Sequence, residues 1–63
     1  MPLSDNLTRL RVTDGKTITE VADGAKVPVA LVAAIESGRP SIAPKALKAL
    51  ADYFGVSVET LLR

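Results

Sequence analysis

The stretch "TITEVADGAKVPVALVAAIESG", residues 17–38, decides how the chain folds. It holds two short helical patterns separated by a few residues. Thr17 is placed to cap the first, because its hydroxyl accepts a backbone N–H that has no helical partner. Glu20, three residues on, completes a capping box. Ile18, Val21, Ala22 and Ala25 then fall at i, i+3, i+4 and i+7, one apolar stripe at helical spacing. A helix over about 17–24 is predicted. The second pattern starts near Pro28, which suits a first turn where its missing N–H costs nothing, and stops at Gly38. It predicts a helix over about 28–37. Leu31, Val32 and Ile35 form its inward side, so Val29, Ala30, Ala33, Ala34 and Ser37 face outward.

The same reasoning extends to both ends of the chain. Leu3, Leu7 and Leu10 make the apolar stripe of a first helix from Ser4 to near Asp14. Leu47, Leu50, Ala51 and Phe54 make that of a fourth, starting near Pro44 and ending at Gly55. Ser57 caps a short fifth helix containing Leu61 and Leu62. Val56, Val58 and Leu61 are open to two uses, a dimer face or core packing, with core packing favoured for two of the three. Alternation with period two is limited to "VSVE" at 56–59, too short to argue a strand. The expectation is an all-α fold: five short helices in one compact domain spanning residues 1–63.

Composition narrows the function. The chain has 63 residues and contains neither Cys nor His. Disulfides, thiolate chemistry and ordinary zinc sites are therefore excluded, and no metal or cofactor is expected. Ser and Thr lack an activating base, so no catalytic residue is assigned and an enzyme is set aside. Apolar residues make up 48% of the chain, yet no run approaches the ~18 residues of a membrane span. Nor does the start read as a signal peptide, so a cytoplasmic protein is expected. Net charge is only +1, weak for a nucleic-acid binder, but its distribution is uneven. Residues 1–26 balance Arg9, Arg11, Lys16 and Lys26 against Asp5, Asp14, Glu20 and Asp23. Residues 39–48 carry Arg39, Lys45 and Lys48 with no acid.

Two charges lie beside apolar stripes. Arg11 follows Leu7 by four residues, and Glu36 follows Val32 by four. Lone buried charges are costly, so groups placed like this tend to be paired. A partly buried Arg11–Glu36 salt bridge tying the first helix to the third is predicted.

Taken in order, four segments carry a family pattern: "LRVTDGKT", "EVADGAKV", "IESG" and "LADYFGVSVETLL". In this order and spacing the chain resembles the lambda-repressor-like helix-turn-helix family, the Cro/C1 or xenobiotic-response-element type. The likeness covers about nine-tenths of the sequence. It implies a small prokaryotic or phage DNA-binding regulator, typically a repressor, working as a dimer on double-stranded DNA. The third helix would enter the major groove, and two copies would take half-sites about one helical turn apart. Phosphates would be held at the start of the second helix, near Thr17 and Ile18. The loop and start of the fourth, with Arg39, Lys45 and Lys48, would hold others, helped by Lys16 and Lys26. The family's helix 1 to helix 3 ion pair coincides with Arg11 and Glu36.

Three departures set this chain apart. Ile18 stands where the family often has Gln, so a phosphate-contacting amide is lost. Lys26 stands where the family has its turn Gly, which here is displaced to Gly24. A Lys at that point either accepts a positive φ, at about 1 kcal/mol, or the turn differs. Finally, the DNA-facing positions from Pro28 onward are Val29, Ala30, Ala33 and Ala34, which cannot make bidentate base contacts. Val and Ala still touch thymine methyls, which would give a short code assisted by DNA shape. The competing reading is a protein-interaction or dimerisation module on the same fold, with the apolar outer face of helix 3 packed against protein.

Overall fold

Five helices follow one another in the computed structural model, which describes residues 2–39 and 42–63. They are α1 (Pro2–Thr13), α2 (Ile18–Ala25), α3 (Val29–Glu36), α4 (Pro44–Phe54) and α5 (Val58–Leu62). No strand occurs among the described residues. α3 packs between α1 and α2, α4 packs on α2, and α5 closes the bundle against α1 and α4.

The stripes converge. Leu7, Val21, Ala22, Val32, Ile35, Leu50, Ala51 and Leu61 are wholly or almost wholly shielded from solvent. Leu3, Leu10, Ile18, Leu31, Phe54, Val56 and Val58 pack around them. All three α5-region apolar residues considered for a dimer face therefore belong to the core or its margin. Leu62, by contrast, is 48% exposed.

α1 begins earlier than expected. Pro2 takes the first-turn position that tolerates proline. Ser4 therefore lies inside the helix, and its hydroxyl donates to the Glu36 carbonyl at the open end of α3, 3.0 Å away. Pro28 lies just outside α3 as its N-cap residue rather than within its first turn.

Each of α1–α4 closes in the same way. A residue in the left-handed region follows the helix, and the next N–H returns to a carbonyl five residues back. Those bonds run from Lys16 to Arg11, Val27 to Ala22, Arg39 to Ala34 and Val56 to Ala51, at 3.0–3.1 Å. This arrangement satisfies carbonyls that the helix leaves open. Three of the four left-handed residues are glycines; the fourth is Lys26, at φ 61° and ψ 44°.

Gly24 answers a different need. It lies inside α2, and a Cβ there would overlap the Tyr53 ring of α4. That ring also stands edge-on to Phe54, with centroids 5.0 Å apart, so it has a defined seat. The displaced glycine is thus the contact point of α2 and α4.

The Glu36 carboxylate holds the α1–α3 junction. Arg11 donates to it twice, Nε to Oε2 at 2.6 Å and Nη2 to Oε1 at 2.9 Å. Thr8 adds a hydroxyl bond at 3.1 Å. The remaining Arg11 Nη1 donates to the Lys16 carbonyl at 2.9 Å, which fixes the α1–α2 loop. The Arg11 and Glu36 side chains are 18% and 11% exposed, so deleting either partner strands a largely buried charge.

Glu36→Ala should lower unfolding free energy in urea by about 3 kcal/mol, while the apolar replacement of both partners, Arg11→Met with Glu36→Leu, should recover most of it. Loss no greater than that of an exposed Glu59→Ala control would refute this. In a Tyr53→Ala background, Gly24→Ala should stabilise by about 0.5–1 kcal/mol, since helical Gly is replaced without a clash. With Tyr53 in place that gain should vanish.

Candidate nucleic-acid interface

The outward side of α3 is apolar. Val29 is 42% exposed, and Ala30 and Ser37 are also exposed. Ala33 and Ala34, expected to be open, are half-buried. Ser37, the one polar side chain of this face, donates its hydroxyl to the Ala33 carbonyl at 2.9 Å.

Helix starts divide into two kinds. α2 is closed by its own residues. Glu20 N–H donates to Thr17 Oγ1 at 3.1 Å, and Thr17 N–H donates to Glu20 Oε1 at 2.9 Å. These contacts, the Thr17 backbone N–H foremost, hold the Glu20 carboxyl below the ordinary carboxylate range. A carboxylate therefore already sits at the α2 start. For an external anion only the Ile18 and Thr19 N–H groups remain, and the Ile18 side chain packs on the core. α5 is capped likewise, by Ser57.

α3 and α4 differ. Their N-cap residues, Pro28 and Ala43, supply no side-chain hydrogen bond. Neither helix has an acidic residue in its first turn. The first N–H groups of a helix carry its positive partial charge; among the described residues no side chain caps those of Val29 and Ala30 in α3 or that of Lys45 in α4, where Pro44 has no N–H to offer.

Both uncapped ends border one groove. Val27, Pro28 and Leu31 form one wall; Ala43, Ala46 and Ala49 form the other; Lys26 and Lys45 stand on opposite sides. Both lysines are exposed. Arg39 is exposed as well, and its backbone N–H is tied to Ala34. Lys48, grouped with these cations by sequence, instead turns to Asp52 at 3.4 Å, one helical turn on. The i, i+4 spacing of Lys48 and Asp52 carries that signal. Lys16 is exposed in the α1–α2 loop, away from this groove's lining.

Two residues with definite roles lay outside the sequence reading. Thr8 completes the shell around Glu36. Asn6 donates its side-chain amide to the Leu61 and Arg63 carbonyls at 2.8 and 3.1 Å, closing the end of α5. Asn6 sits more than fifty residues from its acceptors, so no local spacing could signal it.

Lys26 carries backbone strain that glycine would not, because its Cβ crowds the following carbonyl in the left-handed region. Lys26→Gly should raise the urea midpoint, worth about 1 kcal/mol of stability. A lowered midpoint would show that the Lys side chain holds the turn together.

Among known proteins, no characterised sequence and no solved structure gives a significant match. The helix-turn-helix family profile matches residues 7–61, which takes in α2, the turn, α3 and the groove beside them. The chain therefore belongs to the Cro/C1-type, lambda-repressor-like helix-turn-helix family, whose members are DNA-binding transcriptional regulators.

Proposed function

We propose that this chain is a transcriptional regulator that lays α3 in the major groove of duplex DNA. The groove between α3 and α4 grips the flanking phosphates. The supporting observation is the convergence of two uncapped helix N-termini with Lys26 and Lys45 on one groove. Helix N-termini favour phosphate through their N–H groups and dipole, and each lysine adds a full charge. Arg39, exposed beyond the far end of α3, would offer a separate phosphate contact. Ile18 and Thr19 offer a second, weaker phosphate contact, opposed by Glu20. Lys48 contributes less, because Asp52 offsets its charge. Two copies would bind half-sites about one helical turn apart.

A second use of the same face is favoured by one observation: Val29 is a large apolar side chain left 42% exposed. A protein partner, or a second copy, packing on α3 would cover it.

Anisotropy titrations of duplex DNA separate these readings. With random duplex and duplex from upstream of its own gene, affinity should fall steeply between about 50 and about 200 mM salt. Lys45→Ala should make the log–log salt slope shallower by about one. Affinity that ignores salt would sink the DNA reading. Val29→Arg should leave non-specific DNA binding intact or stronger; if it abolishes association with a protein instead, the second reading stands.

A further inference from the structure

We propose that α3 reads the 5-methyl groups of pyrimidines in the major groove, thymine first, with no side-chain donor to offer a base edge. This inference rests on the DNA-binding reading above. The apolar stripe does not by itself make a site; family membership and the cationic rim locate it, and the stripe decides its chemistry.

The exposed side of α3 carries almost no free side-chain hydrogen-bonding group. Val29, Ala30, Ala33 and Ala34 have none. Ser37 has one hydroxyl proton, and it is donated to Ala33. Glu36, at the border of this face, could accept from a cytosine amino group. Its carboxylate is instead occupied by Arg11 and Thr8. Leu31, at the opposite border, is apolar and packs on the core. No side-chain donor remains on this face to replace the water on a guanine edge.

A base pair pressed against this face therefore loses water from its polar groups without a substitute, which is unfavourable. The thymine C5-methyl is the one major-groove feature that gains from apolar contact. Ala side chains let the helix axis come close, and Val29 projects furthest, with two methyls. A G·C pair opposite Val29 is thus disfavoured and a thymine favoured, by the same contact. The 5-methyl group of 5-methylcytosine occupies the corresponding place on its ring and should substitute for thymine's. Phosphate contacts supply most of the affinity but carry no sequence, so the methyls carry the discrimination.

The test uses four alternating copolymers as competitors at one salt concentration: poly(dA-dT), poly(dA-dU), poly(dG-dC) and poly(dG-5-methyl-dC). Each buried methyl should be worth about fourfold in affinity. Poly(dA-dT) should then exceed poly(dA-dU) by at least about fourfold, and the methylated cytosine polymer should exceed the unmethylated one. Val29→Ser, at a position 42% exposed, should bring the dT/dU ratio towards one and leave the salt slope unchanged. Binding with equal affinity for the dT and dU polymers would overturn the methyl reading while DNA binding stood. A dT/dU ratio untouched by Val29→Ser would also overturn it, by assigning the preference to polymer shape. Failure to bind any of the four polymers would overturn both readings together.

Discussion

A carboxylate at the end of a helix faces that helix's negative pole, which disfavours it. Glu36 occupies such a position on α3 and is held there by three hydrogen bonds from α1. Arg11, which supplies two of them, also fastens the loop leading into α2. Ser4 meets the Glu36 backbone carbonyl from the same helix. One end of α3 is therefore clamped by α1 through side chain and backbone together. The orientation of α3, and with it the placement of the whole outward face, depends on this clamp. Burial at the junction makes the arrangement all-or-none, because either charge alone would be worse than neither.

The opposite end of α3 is treated in the contrary way. Its first N–H groups receive no side-chain cap from Pro28, and Ala43 supplies none to α4 beside it. In α2 and α5 the chain meets its own helix starts with Thr17 and Ser57. Caps thus stabilise α2 and α5, whose starts lie away from the groove, while the N-cap residues of the two helices that border it supply none. Lys26 fits the same division. It sits in a backbone conformation that glycine serves at the other three helix closures. Strain retained where a cation overlooks the groove is the kind of cost that functional positions carry.

Much of this was legible in the residues. The capping box of Thr17 and Glu20, the stripes of α2 and α4, the stop at Gly38 and the all-α class follow from contacts within one or two turns. Such contacts have fixed sequence spacing, so they can be read without a fold. Arg11 and Glu36 were legible as partners because both flank inward stripes, and the two side chains meet at 2.6 Å. The left-handed Lys26 was legible from the glycine missing at the turn. α1 starts two residues before Ser4, because its apolar stripe begins at Leu3 and Pro2 marks a helix start only once the turn it opens is seen.

By itself, then, the sequence determined the five helices, the caps of α2 and α5, and which side of each helix is apolar. All of these are set by the periodicity and local hydrogen bonding of a single segment. Only the tertiary structure decided what covers what. It half-buried Ala33 and Ala34, seated Tyr53 against Gly24, brought Asn6 to the end of α5, and set Lys26 across a groove from Lys45. Periodicity fixes a side chain's direction about its own helix axis. Its coverage and partners depend on which other helix arrives there, and that is decided when the core closes.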